Sequence, residues 1–82
     1  MSEEKVYRYI SVFEKNGNAH VMDIAFSSMP DLQLLQKIFL DGADDPMYDE
    51  YAIDAYKALQ LEPFVKLEFD LKRFEYFLSC DG

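Results

Sequence analysis

Three glycines, one cysteine and a long gap in positive charge are the scarcities that first constrain this 82-residue chain. So few glycines leave little from which to build a phosphate-cradling loop, and no metal-ligand cluster or nucleophile elbow accompanies them. The sequence therefore implies no cofactor and no enzyme activity. Cys80 has no second cysteine to pair with, which excludes an internal disulfide and fits a reducing compartment. No run approaches the roughly 20 apolar residues of a membrane helix. Met1-Ser2-Glu3-Glu4-Lys5 lacks the basic and apolar regions of a secretory signal, so the expectation is a cytoplasmic protein that does not engage membranes. Eight Lys and Arg residues, scattered along the chain against sixteen acids, form no basic stripe, which argues against direct nucleic-acid binding.

What remains is a well-supplied core. The hydrophobic fraction is 50% and the aromatic fraction 16%, far above the composition of disordered chains, despite a formal net charge of −8. At this length there is room for one domain, assigned to residues 1–82 with 1–5 as a flexible N-terminus. The expected fold class is α+β. An N-terminal hairpin and one or two C-terminal strands form an antiparallel sheet, with two helices packed on one face.

Val6 to Glu14 and Ala19 to Phe26 read as strands, and Asn16-Gly17 between them is a strong hairpin signal. Counting outward from that turn pairs Phe13 with His20, Ser11 with Met22, Tyr9 with Ile24 and Tyr7 with Phe26 as the core face. The other face then carries Val6, Arg8, Ile10, Val12, Val21, Asp23 and Ala25, with Arg8 and Asp23 able to pair across it. Ser27 to Asp31 reads as a helix start with a serine cap, Leu32, Leu35, Ile38 and Phe39 recur at helical spacing, and Asp41-Gly42 reads as the stop. A second helix is expected from Asp45-Pro46 to about Gln60, with Tyr48, Ala52, Ala55, Tyr56 and Leu59 facing the core. Val65 to Leu71 alternates as a strand. Residues 70–79 fit either a further strand after a bend or a helix.

The densest chemical signal lies where no basic residue falls between Lys37 and Lys57. Asp41, Asp44, Asp45, Asp49, Glu50 and Asp54 sit there with Tyr48, Tyr51 and Ile53 interleaved. A charge run of this kind is in the plain case a solvated surface. The missing lysines, the two tyrosines and an isoleucine on the polar side of the expected helix favour a protein-binding patch, with charges steering encounter and tyrosines giving grip. A calcium loop is excluded by Pro46 where a glycine is required and by the lack of a glutamate at the twelfth position, so no metal is assigned. His20, the only histidine, reads as a packed or edge residue, and Cys80 as an incidental thiol with no base beside it.

In general design, the chain resembles the small acidic immunity proteins encoded beside bacterial polymorphic toxins, including contact-dependent growth inhibition and colicin-type systems. Asp49-Glu50-Tyr51, with Tyr48 and Asp54, is similar to the acid-plus-tyrosine helices by which some nuclease-colicin immunity proteins hold their toxins. Those proteins are four-helix folds, so what the resemblance implies is the interface chemistry. The implied partner is a cognate toxin with a basic surface, plausibly a nuclease, neutralised through the residues named above. The alternative expectation is an acidic nucleic-acid mimic or adaptor that docks on a host DNA-binding protein or a larger assembly.

Overall fold

The β-branched and aromatic run near the N-terminus becomes the strand around which everything else is arranged. The computed structural model describes residues 7–40 and 45–81. Among them the elements run β1 (Tyr7–Glu14), β2 (His20–Ala25), α1 (Leu32–Leu40), β3 (Tyr51–Ile53), α2 (Ala55–Leu61), a 3₁₀ turn (Glu62–Phe64) and β4 (Phe74–Asp81). The four strands form one antiparallel sheet in the order β2-β1-β4-β3. This is the α+β arrangement expected, with the first and last long strands paired at its centre. The expectations for residues 1–5, for Val6 and for a helix stop at Asp41-Gly42 fall outside the described residues.

The core lies on one face of that sheet. Ile10 and Val12 of β1 stand opposite Leu78 and Tyr76 of β4, and Ile53 of β3 continues the row. All five are buried, together with Leu35 and Ile38 of α1, Ala58 and Leu61 of α2, and Met47 and Val65 from the connections. The expected core face is therefore the wrong one: the inward side is that of Ile10 and Val12, and Tyr7, Tyr9, Ser11 and Phe13 face away from the helices. Compact aliphatic side chains fit the narrow space beneath helices, whereas that face would have required burying Ser11 against them.

The hairpin turn is where expected, with Gly17 at φ 106° and Asn18 at φ 60° supplying its left-handed residues. Phe13 pairs with His20 as counted, but the register then slips, because Met22 rather than Val21 stands opposite Val12. Val21 is the extra residue of a β-bulge, and one inserted residue moves every later side chain of β2 to the other face. Met22 and Ile24 consequently join the side of Val12 and Ile10, and Asp23 joins Ser11. The expected Arg8–Asp23 pair does not form. Asp23 meets His20 at 2.8 Å, and Arg8 donates from Nη2 to the Pro46 carbonyl at 2.7 Å.

Helix α1 starts at Leu32 with Asp31 as its cap, its carboxylate accepting from the Leu34 amide at 2.8 Å. The serine expected in that role is used elsewhere: the backbone N–H and hydroxyl of Ser27 both donate to the Phe64 carbonyl. The second helix is much shorter than expected. Asp45 caps no helix, because its carboxylate accepts from the Met47 amide two residues on, and Met47 lies at φ 59° with its side chain in the core. Burial of Met47 outweighs the helical preference of Asp45-Pro46. Asp54 takes over as cap, accepting from the Lys57 amide at 2.9 Å. Tyr56 and Leu59, expected inside, are 65% and 64% exposed.

The alternating stretch from Val65 to Leu71 forms no strand, although Val65 is buried and Leu67, Phe69 and Leu71 pack against the core. A turn held by the Asp70 carbonyl, which accepts from the amides of Arg73 and Phe74, then feeds β4, and residues 74–79 are strand rather than helix.

Leu35 is fully buried at the centre of the helix layer. Leu35→Ala is expected to lower unfolding free energy by about 2–5 kcal/mol in a denaturant titration, and Phe39→Ala, at a half-buried position, by less.

Candidate protein-binding surface

Strand alternation fixes what the uncovered sheet face presents. β1 contributes Tyr7, Tyr9, Ser11 and Phe13, and β4 contributes Asp81, Ser79, Phe77 and Glu75 opposite them. Tyr7 and Tyr9 stack with centroids 5.5 Å apart, while Phe13 meets Phe77 edge-on at 5.7 Å and His20 at 5.3 Å. The bulged strand adds His20 and Asp23 at the side. No helix among the described residues lies over this face, so the aromatic ladder and the carboxylates around it are a surface rather than a second core.

The segment before β3 folds onto this face. Ala52 pairs with Phe77, so the same alternation carries Glu50 to the position of Ser79, whose hydroxyl donates to Glu50 Oε2 at 3.3 Å. Ser79 also shares a 2.9 Å hydrogen bond with Ser11, and both serines are buried. These two hydroxyls form the floor of a concave depression of about 510 Å³, walled by Tyr9, Phe13, His20, Asp23, Tyr48, Asp49 and Glu50. Asp23, Asp49 and Glu50 supply negative charge, and no lysine or arginine among the described residues lines it. The hydroxyls are occupied with each other and with Glu50, and His20 Nε2 is held by Asp23.

The acidic segment is thus divided by the fold. Tyr48, Asp49 and Glu50 reach the open face, with Tyr48 51% exposed. Asp45 and Tyr51 are turned the other way. Tyr51 is half-buried beside Phe39, and burial followed by the negative charges of Asp45 and Asp49 raises its phenol above the ordinary 10.0. Asp54 is exposed but serves as the cap of α2. Ile53, expected to grip a partner, is 5% exposed and belongs to the core, because β3 alternation points it toward Ala58 and Leu61 rather than outward. Asp41 and Asp44 lie outside the described residues. Sequence reasoning missed Tyr9, Phe13, His20, Asp23 and Ser79 as members of the surface. The serines at 11 and 79 were the available signal, since a hydroxyl at the middle of β1 and another within β4 mark the side that the described helices do not cover.

Among the described residues, no three histidine, cysteine or acidic side chains converge as a metal site would need. No helix among them is long and apolar enough to cross a membrane. Fold and surface together define a small α+β domain whose sheet is packed on one side and bare, aromatic and acidic on the other. The chain belongs to the family described as domain of unknown function DUF7683, whose model matches residues 7–79. No curated protein and no solved structure matches it.

The raised Tyr51 phenol has a consequence for stability. Its neutral form is favoured in the folded chain, so that contribution is complete below pH 10 and is lost as pH rises through the folded value. Chemical denaturation across alkaline pH should show stability falling above pH 10, and Tyr51→Phe should flatten this part of the profile.

Proposed function

We propose that this chain is a stoichiometric binding protein that neutralises a basic protein, and that the bare sheet face with its Tyr48-Asp49-Glu50 arm is the surface it uses. The observation carrying this reading is the 510 Å³ depression, whose described lining sets the carboxylates of Asp23, Asp49 and Glu50 among aromatic rings, with His20 but no lysine or arginine. A net charge of −8 extends that negative field beyond the contact and would draw a basic partner in from solution. The tyrosines and phenylalanines supply the area that holds it once docked.

The resemblance to immunity proteins of bacterial toxin systems supports a toxin as the partner. A nuclease fits best, because a surface built to hold phosphates is basic and is neutralised when an acidic face covers it. In this role the protein acts by occlusion, in the cytoplasm of the cell it protects, and uses no cofactor. The buried Ser11 and Ser79 keep the floor of the depression polar, which suits a guanidinium or ammonium group that must shed water to enter.

Co-purification from the native locus would identify the partner, and stopped-flow association would test the mechanism. The association rate should fall steeply between low and high salt. Asp23→Lys combined with Asp49→Lys should slow it by about tenfold or more at low salt, while Glu68→Lys, outside the depression, should change it little. An acidic partner, or a rate indifferent to salt and to the double reversal, would overturn the proposal.

A further inference from the structure

Strand β2 is an edge. Among the described residues it pairs with β1 alone and is the outermost strand of the sheet, and all its residues except the half-buried Ile24 are exposed. Val21 and Met22, apolar side chains of a kind usually sheltered, are 44% and 51% exposed. The opposite edge, β3, is only three residues long. Edge strands are commonly blunted with lysines or prolines, and β2, with the sequence His-Val-Met-Asp-Ile-Ala, has neither. Its protective features are the bulge at Val21 and the charge of Asp23. That bulge lies at the turn end and leaves Met22 to Ala25 in regular register with Val12 to Tyr9, so four consecutive residues offer an undistorted outer edge.

We infer that this edge accepts an extended, cationic segment of the partner as an added strand, an inference that rests on the binding role proposed above. The chemistry of β2 sets what that strand must carry. Its outer edge offers backbone N–H and C=O groups, which any extended peptide can satisfy. On the bare face the added strand would lie beside Asp23 and His20, next to the acidic depression, where positive side chains are favoured. On the other face it would lie beside Met22 and Ile24, where apolar side chains are favoured. Basic and apolar residues in alternation meet both demands. A second copy of this chain fits poorly, since self-pairing would bring together two molecules each of net charge −8 and would set Asp23 beside its own symmetry mate's strand.

The test uses the whole chain and a capped hexapeptide alternating lysine and valine. Nuclear magnetic resonance titration and amide hydrogen exchange would report affinity and the site. Saturating peptide should increase protection within residues 22–25 by about tenfold or more, with no comparable gain in β3. Two versions, one with N-methylated valines and one with backbone N-methylated lysines, keep every side chain and each lose one alternate set of backbone donors; the version that loses the set facing β2 should bind at least about tenfold more weakly. A glutamate-for-lysine version should also bind at least about tenfold more weakly. Undiminished binding by both N-methylated peptides would overturn strand addition while leaving the electrostatic reading intact. Undiminished binding by the glutamate peptide, with β2 protected, would instead overturn the cationic requirement and with it the proposed function. Failure of the lysine peptide to bind, protection confined elsewhere, or a peptide-free dimer with β2 already protected would each overturn the inference.

Discussion

One covered face and one bare face is the constraint on which the rest of this molecule depends. Ile10 and Val12 lie beside Leu78 and Tyr76 on the two central strands, and the short helices bring Leu35, Ile38, Ala58 and Leu61 down onto them. A domain of this size has apolar material for one layer of that kind. Once the helices are committed to the Ile10 face, the opposite face is left to the short segment of Tyr48, Asp49 and Glu50, which covers only part of it. Tyr9, Phe13 and Phe77 are then partly exposed as a matter of supply, and the serines between them settle into hydrogen bonds with each other.

The connections show how such a small core is completed. Met47 enters the interior from an irregular segment, and the left-handed backbone that allows it also ends any helix begun at Asp45. Gln36 of α1 donates to the Asp45 carbonyl at 2.7 Å, and Arg8 of β1 donates to that of Pro46. The segment is therefore tied both to the helix layer and to the sheet. Its exit carries Tyr48, Asp49 and Glu50 around the sheet to the other face, so the same few residues that close the core also place the acidic arm. Packing and recognition are linked through Met47.

Much of this was legible locally. The Asn16-Gly17 turn, the first helix from its Leu35 and Ile38 spacing, and an acidic surface around residues 48–50 follow from short-range rules of turn chemistry, periodicity and charge. The face assignment was not, because Tyr7, Tyr9 and Phe13 offer as much apolar area as Ile10 and Val12. Only the shape of the space beneath the helices chooses between them. The β2 register was hidden for a similar reason: nothing in the residues around Val21 announces a bulge, and one inserted residue exchanged the roles of Asp23 and Met22. Ile53 was misplaced by reading helical periodicity, about 100° per residue, where the chain is a strand with a two-residue repeat.

The amino-acid sequence by itself determined the class of fold and the excess of negative charge, since these depend on composition and on neighbours a few positions apart. Tertiary structure alone decided which carboxylates share a surface. Asp23 and Asp49 are far apart in the chain and line one depression, while Asp45 and Asp49 are close in sequence yet face different environments. The physical reason is that strand pairing and side-chain burial are settled across the whole sheet, where a single residue of register determines the side on which each charge emerges.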